Sequence, residues 1–248
     1  MNVQVRAATD IGLRRVRNED HYGLWLPEDP AVRGRRGALL VIADGMGGAR
    51  AGDVASHLAV DAVLGTYRDA PGGPLEGLRL AFTAANQVVY AQSLAHPDRG
   101  GMGTTLTALL LREGEAFLAH VGDSRAYRVR GGMATALSVD HSLVAQLVRD
   151  GLLTADQARV DPRRNVVTRS VGVAPVVEPD VERIGEALRD GDTLLLTTDG
   201  LHGLVSDEEL GAAGSDPDLD AVCGRLVALA RQRGGPDNIT VIAARVGG

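Results

Sequence analysis

Apolar positions alternate with polar ones at Val3, Val5 and Ala7, which predicts a strand near 3–9, and a second strand is expected at 20–26. Residues 38–43, Ala-Leu-Leu-Val-Ile-Ala, are apolar without a break and fit a buried strand. The spacing of Val54, Leu58 and Val63 predicts a helix over 53–68. Leu75, Leu78, Phe82 and Val89 place one face of a longer helix over 75–95. Residues 27–37, rich in Pro, Gly and Arg, read as a loop, and 69–74 as a turn. Strands at 104–111 and 116–121 flank Arg112-Glu113-Gly114-Glu115, a hairpin signal, and 125–130 leads to a turn at Gly131-Gly132. Short helices are expected at 142–150 and 154–160, a strand at 193–198, helices at 206–212 and 219–232, and a last strand at 239–245.

Strands outnumber helices, and the helices come in pairs, two after the third strand and two before the last. That is α+β with mostly antiparallel sheet, not a βαβ alternation. No linker, repeat or low-complexity tract interrupts the 248 residues, so a single domain over 1–248 is expected. Aromatic residues are scarce at 3%, so the core must be built from Val, Leu, Ile and Ala.

Charge narrows the chemistry. All 26 basic side chains are arginine, against 32 acidic ones, for a net charge of −6. Without lysine there is no P-loop lysine, no kinase strand lysine, no Schiff base and no Ser-Lys pair. The acidic surplus argues against nucleic-acid binding. The arginine bias, with 32 glycines, fits the codon usage of a GC-rich genome. The single Cys223 excludes an intrachain disulfide and reads as a buried structural thiol. No apolar run reaches the ~18–20 residues of a membrane span. The N-terminal residues lack a signal-peptide core. A soluble, cytoplasmic chain that meets no membrane is the expectation.

Three segments share one design. Leu39–Gly45 (LLVIADG), Phe117–Arg125 (FLAHVGDSR) and Thr193–Gly200 (TLLLTTDG) are each an apolar strand ending in an aspartate beside glycine. Asp-Gly alone makes turns. Three repeats of the same form point instead to carboxylates gathered at strand ends, with Asp237 of GGPDNIT (234–240) as a fourth. Clustered carboxylates repel and are costly to desolvate unless a cation neutralises them. An all-oxygen site suits Mg²⁺ or Mn²⁺, and the six scattered histidines argue against zinc. The segment 9–20, TDIGLRRVRNED, adds Glu19, Asp20 and three arginines, a pairing suited to phosphate chemistry. The Gly-rich stretch 44–56 leads into a helix but lacks the P-loop pattern.

Seven motifs then fall in order: TD-x-G-x-x-R-x-x-NED at 9–20, ADGMGG at 43–48, GMGTT at 101–105, VGDSRAY at 121–127, DHS at 140–142, TTDGL at 197–201 and GGPDNITVI at 234–242. Together they resemble the PPM (type 2C) family of metal-dependent Ser/Thr protein phosphatases, in its short bacterial form. The resemblance implies an α-β-β-α sandwich of two packed, mostly antiparallel sheets flanked by pairs of helices. It implies that Asp44 bridges two Mn²⁺ or Mg²⁺ ions, with the Gly45 carbonyl on one and Asp199 and Asp237 on the other. Glu19 and Asp20 would act through metal-bound water, and Asp123 with Asp199 would hold a third ion. Arg15, at the family's spacing before Asn18-Glu19-Asp20, would bind phosphate, whereas Arg14 and Arg17 miss that spacing. Asn238 would support the site. A metal-bridging hydroxide would attack phosphorus in line.

Two departures stand out. Met46 occupies the place of a histidine that serves many eukaryotic relatives as candidate general acid, and Asp53 replaces a glutamate. Residues 141–168 match the family's flap, with Arg159, Arg163, Arg164 and Arg169 able to meet an acidic partner. The expected activity is therefore protein Ser/Thr phosphatase, acting as a monomer on phosphorylated proteins and opposing a Ser/Thr kinase. The alternatives are a phosphoprotein-binding pseudophosphatase and a small-molecule phosphomonoesterase.

Overall fold

The computed structural model describes residues 2–47 and 51–247. Two sheets, antiparallel throughout, form the centre. One runs β1 (Val3–Asp10), β11 (Ile239–Val246), β10 (Thr193–Thr197), β7 (Arg125–Arg130) and β8 (Met133–Ala136) in spatial order. The other runs β2 (Asp20–Trp25), β3 (Ala38–Met46), β5 (Leu106–Arg112), β6 (Glu115–Val121) and β9 (Asp180–Arg183), with the two-residue β4 (Gly103–Thr104) beside the end of β3.

The long apolar strands are explained by burial on both faces. In β3, Leu40 and Ile42 enter the core between the sheets, where they join Leu109, Leu118, Leu194, Leu196 and Ile242. Leu39, Val41 and Ala43 point the other way, into a second core under α2 (Gly52–Asp69) and α3 (Pro74–Ala95). On the opposite sheet, Leu195, Val241 and Ala243 pack against α7 (Asp207–Gly214) and α8 (Leu219–Gln232). Successive residues of a strand point to opposite faces, so one run of apolar residues feeds two cores. The result is the α-β-β-α sandwich expected from the resemblance.

Several local expectations are corrected. Residues 27–37 hold a short helix, α1 (Pro30–Arg36). Asp29 caps it by accepting from the Ala31 and Val32 N–H groups, and Pro30 occupies its first turn. The edge strands β8 and β9 were not expected, because their mostly exposed side chains carry no apolar alternation. A single turn, α6 (Asp199–His202), follows β10 directly. Leu75 is exposed, while Leu78, Phe82 and Val89 form the buried face of α3.

The segment 141–168 carries α4 (Leu143–Arg149) and α5 (Ala155–Val160) and is pinned at its base. Ser142 and Val167 form an antiparallel bridge, and the Leu143 and Thr168 N–H groups donate to the carbonyls of Val166 and His141. Cys223 is buried in α8, as expected, and desolvation pushes its thiol up to about 11. No helix of the described residues is long and apolar enough to cross a membrane.

Candidate active site

The aspartates singled out in the sequence meet at one end of the sandwich, where strands of both sheets end. Asp20 and Asp44 are cross-strand partners on β2 and β3. Asp199 opens α6 at the end of β10, Asp237 lies just before β11, and Asp123 lies in the turn between β6 and β7. Asp20 and Asp123 are buried, while Asp44, Asp199 and Asp237 each keep a face on solvent.

Backbone and glycines hold this end together. The Asp44 N–H donates to Thr105 Oγ1 at 2.9 Å, and its carbonyl accepts from Thr104 Oγ1 at 2.8 Å and from the Thr105 N–H at 2.9 Å. Gly45 cannot be replaced without rearrangement: a Cβ there would lie 2.0 Å from the Gly52 carbonyl oxygen. Gly200 is equally confined, because a Cβ would lie 1.9 Å from the Asn238 carbonyl oxygen. Asn238 ties the loop before β11 to the β1–β2 loop at three points. Its Oδ1 accepts from the Glu19 N–H, and its Nδ2 donates to the carbonyls of Ile11 and Arg17. Gly48–Arg50, part of the Gly-rich stretch, lie outside the described residues.

The electrostatics are those of acids held too close. Desolvation, then the charges of Asp20, Asp199, Asp123 and Asp237, hold the Asp44 carboxyl well above its usual range. Burial raises Asp20 to about 7 against the pull of hydrogen bonds donated by Thr240 Oγ1 (2.7 Å) and Thr198 Oγ1 (2.8 Å). Asp123 is raised to about 7 by burial and then by Asp199. Burial and Asp237 raise Asp199, whose carboxyl lies within hydrogen-bonding reach of Asp44. Glu19 is raised by burial, partly offset by Arg15.

Arg15 is the cation that answers this cluster. Its Nη2 donates to Asp237 Oδ2 at 2.7 Å, and its Nη1 lies 3.7 Å from Glu19 Oε2. Arg17 is turned away to Asp53, at 3.6 Å, and Arg14 has no acidic partner among the described residues. Asp53 sits in the first turn of α2, and its carboxylate accepts the Val54 N–H. Of the arginines in or beside 141–168, Arg163 pairs with Asp161, Arg169 with Asp180 and Arg159 loosely with Asp156. Arg164 has no acidic partner among the described residues.

These residues fit divalent cations. Asp20 Oδ1 and Asp199 Oδ1 are buried without a hydrogen-bond partner, which an oxygen-seeking ion would supply directly or through water. Among the described residues, no three His, Cys, Asp or Glu side chains already surround one ion position. Asp237 is drawn to Arg15, and Asp20 to its two threonines. The supporting threonines were not singled out in the sequence, although Thr104, Thr105, Thr198 and Thr240 all lie inside the motifs quoted above.

The family profile described as Protein phosphatase 2C matches residues 16–234. The chain belongs to the protein phosphatase 2C family. The family's serine/threonine protein phosphatase PstP of Mycobacterium tuberculosis is 41% identical over 241 residues, which is 97% of this chain and 44% of PstP. The chain thus spans less than half the length of that relative. Protein phosphatase PhpP of Streptococcus pneumoniae is 35% identical over 244 residues, 96% of each chain. The crystal structure of the PstP catalytic domain with two manganese ions superposes with a TM-score of 0.85 at 38% identity, covering 99% of both chains.

Proposed function

We propose that this protein phosphatase 2C chain is a metal-dependent protein serine/threonine phosphatase that hydrolyses phosphoserine and phosphothreonine monoesters. The observation that carries this reading is the convergence of Asp20, Asp44, Asp123, Asp199 and Asp237 on one end of the sandwich, faced by the Arg15 guanidinium. The relatives' names and the manganese in the PstP structure support it.

In this reading Asp44, the Gly45 carbonyl, Asp199 and Asp237 hold two Mn²⁺ or Mg²⁺ ions, with Asp123 available to a third. The chemistry such ions supply when bound is activation of water and neutralisation of phosphoryl charge. Asp20 and Glu19 orient water at the site. Asp20 is suited to this because its second oxygen is fixed by Thr198 and Thr240. Arg15 exchanges Asp237 for the phosphoryl oxygens, which its planar fork can grip in pairs. Cys223 takes no part, since its raised thiol lies in the helical layer. Residues 141–168 act as a flap beside the site within a single catalytic domain. The substrates are phosphorylated proteins of the cytoplasm, modified by a Ser/Thr kinase, and the chain acts as a monomer.

The test is phosphate release from a phosphothreonine peptide with Mn²⁺ and with chelator. Peptide binding without release in Mn²⁺ would favour the pseudophosphatase. Release from p-nitrophenyl phosphate with none from the peptide would favour the small-molecule esterase.

A further inference from the structure

The turn that carries Asp123 is held by two histidines that the catalytic reading does not use. His141 grips the Gly122 residue from both sides. Its ring Nδ1 accepts the Gly122 N–H at 3.1 Å, and its own N–H donates to the Gly122 carbonyl at 2.7 Å. His202, from α6, places Nε2 3.1 Å from the carbonyl oxygen of Asp123 itself. Three of the four polar groups of the Gly122–Asp123 backbone are thus satisfied by two imidazole-bearing residues far apart in the chain.

The partners dictate the tautomers. His141 Nδ1 faces an N–H and must be the bare nitrogen, so Nε2 carries the proton and donates to Asp180 Oδ2 at 3.0 Å. His202 Nε2 faces a carbonyl and must carry its proton. Desolvation lowers the pKa of both rings, which suits these neutral roles.

The arrangement continues outward. Asp180 accepts from Arg169 Nη1 at 2.7 Å, just beyond the segment 141–168. On the other side, Arg125 holds Asp140, the neighbour of His141, through two hydrogen bonds of 2.8 and 2.7 Å. Gly122 has φ +113°, a conformation with little intrinsic preference for one geometry, so an unclamped turn would scatter the carboxylate that follows.

We propose that His141 and His202 are positioning residues that fix the Gly122–Asp123 backbone, so that the Asp123 carboxylate is presented to Asp199. The proposal rests on the metal-dependent reading above. It assigns no contact between either ring and substrate. It also makes the base of segment 141–168 and the Asp123 turn one mechanical unit, because His141 belongs to both.

The test uses the full chain with His202→Leu, His202→Gln, His141→Leu and Asp123→Ala. In metal-free protein, hydrogen exchange of the Gly122 amide should rise about tenfold in His141→Leu, as expected for losing one internal hydrogen bond. Calorimetric Mn²⁺ titration should show the ion class abolished by Asp123→Ala weakened about tenfold in both Leu variants. The remaining ions should bind within about twofold of the parent. His202→Gln, which keeps a donor at the Nε2 position, should restore that class. The rate constant kcat for a phosphopeptide should follow the same order with KM little changed. Parental exchange and parental ion binding in both Leu variants would overturn the proposal, as would failure of Gln to restore when Leu has an effect. If Asp123→Ala itself leaves every ion class intact, what fails is the assignment of Asp123 to metal, and the exchange data alone then judge the clamp.

Discussion

Arg15 donates to Asp237 at 2.7 Å, across 222 residues of chain, and so caps an acidic cluster with a cation that the proposed chemistry must displace. The pair is partly exposed, with side-chain exposures of 46% and 26%, so its net contribution is small, on the order of 0.2–1 kcal/mol. That sets up effects of opposite sign. Arg15→Ala should bind Mn²⁺ up to about fivefold more tightly, because a competitor for Asp237 is gone. The same variant should turn over phosphopeptide at least about tenfold more slowly, because the phosphoryl grip is gone. Calorimetry and steady-state kinetics on one preparation check both.

Asp20→Asn separates stability from activity. Asp20 is buried, with one oxygen bonded to Thr198 and Thr240 and the other without a partner. Burial has moved its pKa from 3.8 to about 7. One pKa unit corresponds to about 1.4 kcal/mol, so neutralising the group should stabilise the metal-free protein at pH 8 by about 2–4 kcal/mol. Phosphopeptide turnover in Mn²⁺ should fall. Thermal melts in chelator, with matched kinetics, are the check.

The same shifts fix a pH dependence. Asp20 and Asp123 hold protons to about 7 in the folded metal-free chain, whereas the unfolded chain releases them near 3.8. The folded state therefore binds more protons between these values, and its stability falls as pH rises through the window. The desolvated neutral histidines His21, His120, His141 and His202 act in the opposite direction below about pH 6.5, so the carboxyl effect is read against a variant. In chelator, the change in Tm from pH 5 to pH 8 should be more negative in the parent than in Asp20→Asn, and Mn²⁺ should raise the parent's Tm at pH 8. Identical metal-free pH profiles for the two proteins would contradict the assignment of buried, uncompensated carboxyls.

Cys223 supplies a negative control. It is 3% exposed and its thiol is pushed up to about 11. Iodoacetamide at pH 7.5 should leave the native protein unmodified, and Cys223→Ala should retain full turnover. Inactivation by the reagent before unfolding would point to a thiol nucleophile instead.

Much of this architecture is legible in the sequence, for a physical reason. Strands buried on both faces must be apolar throughout, so the core strands β3, β6 and β10 declare themselves, and the aspartate ending each run breaks the pattern at the site. The edge strands β8 and β9 are exposed and carry no such signature. The missed helix α1 did have a local signal in Asp29-Pro30, a cap followed by the residue best tolerated in a first turn. What no local pattern can show is which distant groups meet. His141 reads as part of a motif and His202 as one of six scattered histidines, and only the packing of α6 and residue 141 against the Gly122–Asp123 turn makes them neighbours. The family resemblance singles out Arg15 as the candidate phosphate ligand, but nothing in the sequence shows its metal-free partner Asp237.

The central claim is that the converging acids form a metal-dependent phosphatase centre hinged on Asp44, whose carboxyl feels the charges of Asp20, Asp199, Asp123 and Asp237. The most direct measurement is the initial rate of phosphate release from a phosphothreonine peptide at saturating Mn²⁺, comparing the parent with Asp44→Asn of equal thermal stability. Loss of the centre's electrostatic stabilisation predicts a fall of at least about 100-fold. An Asp44→Asn protein that releases phosphate at the parental rate would contradict the account.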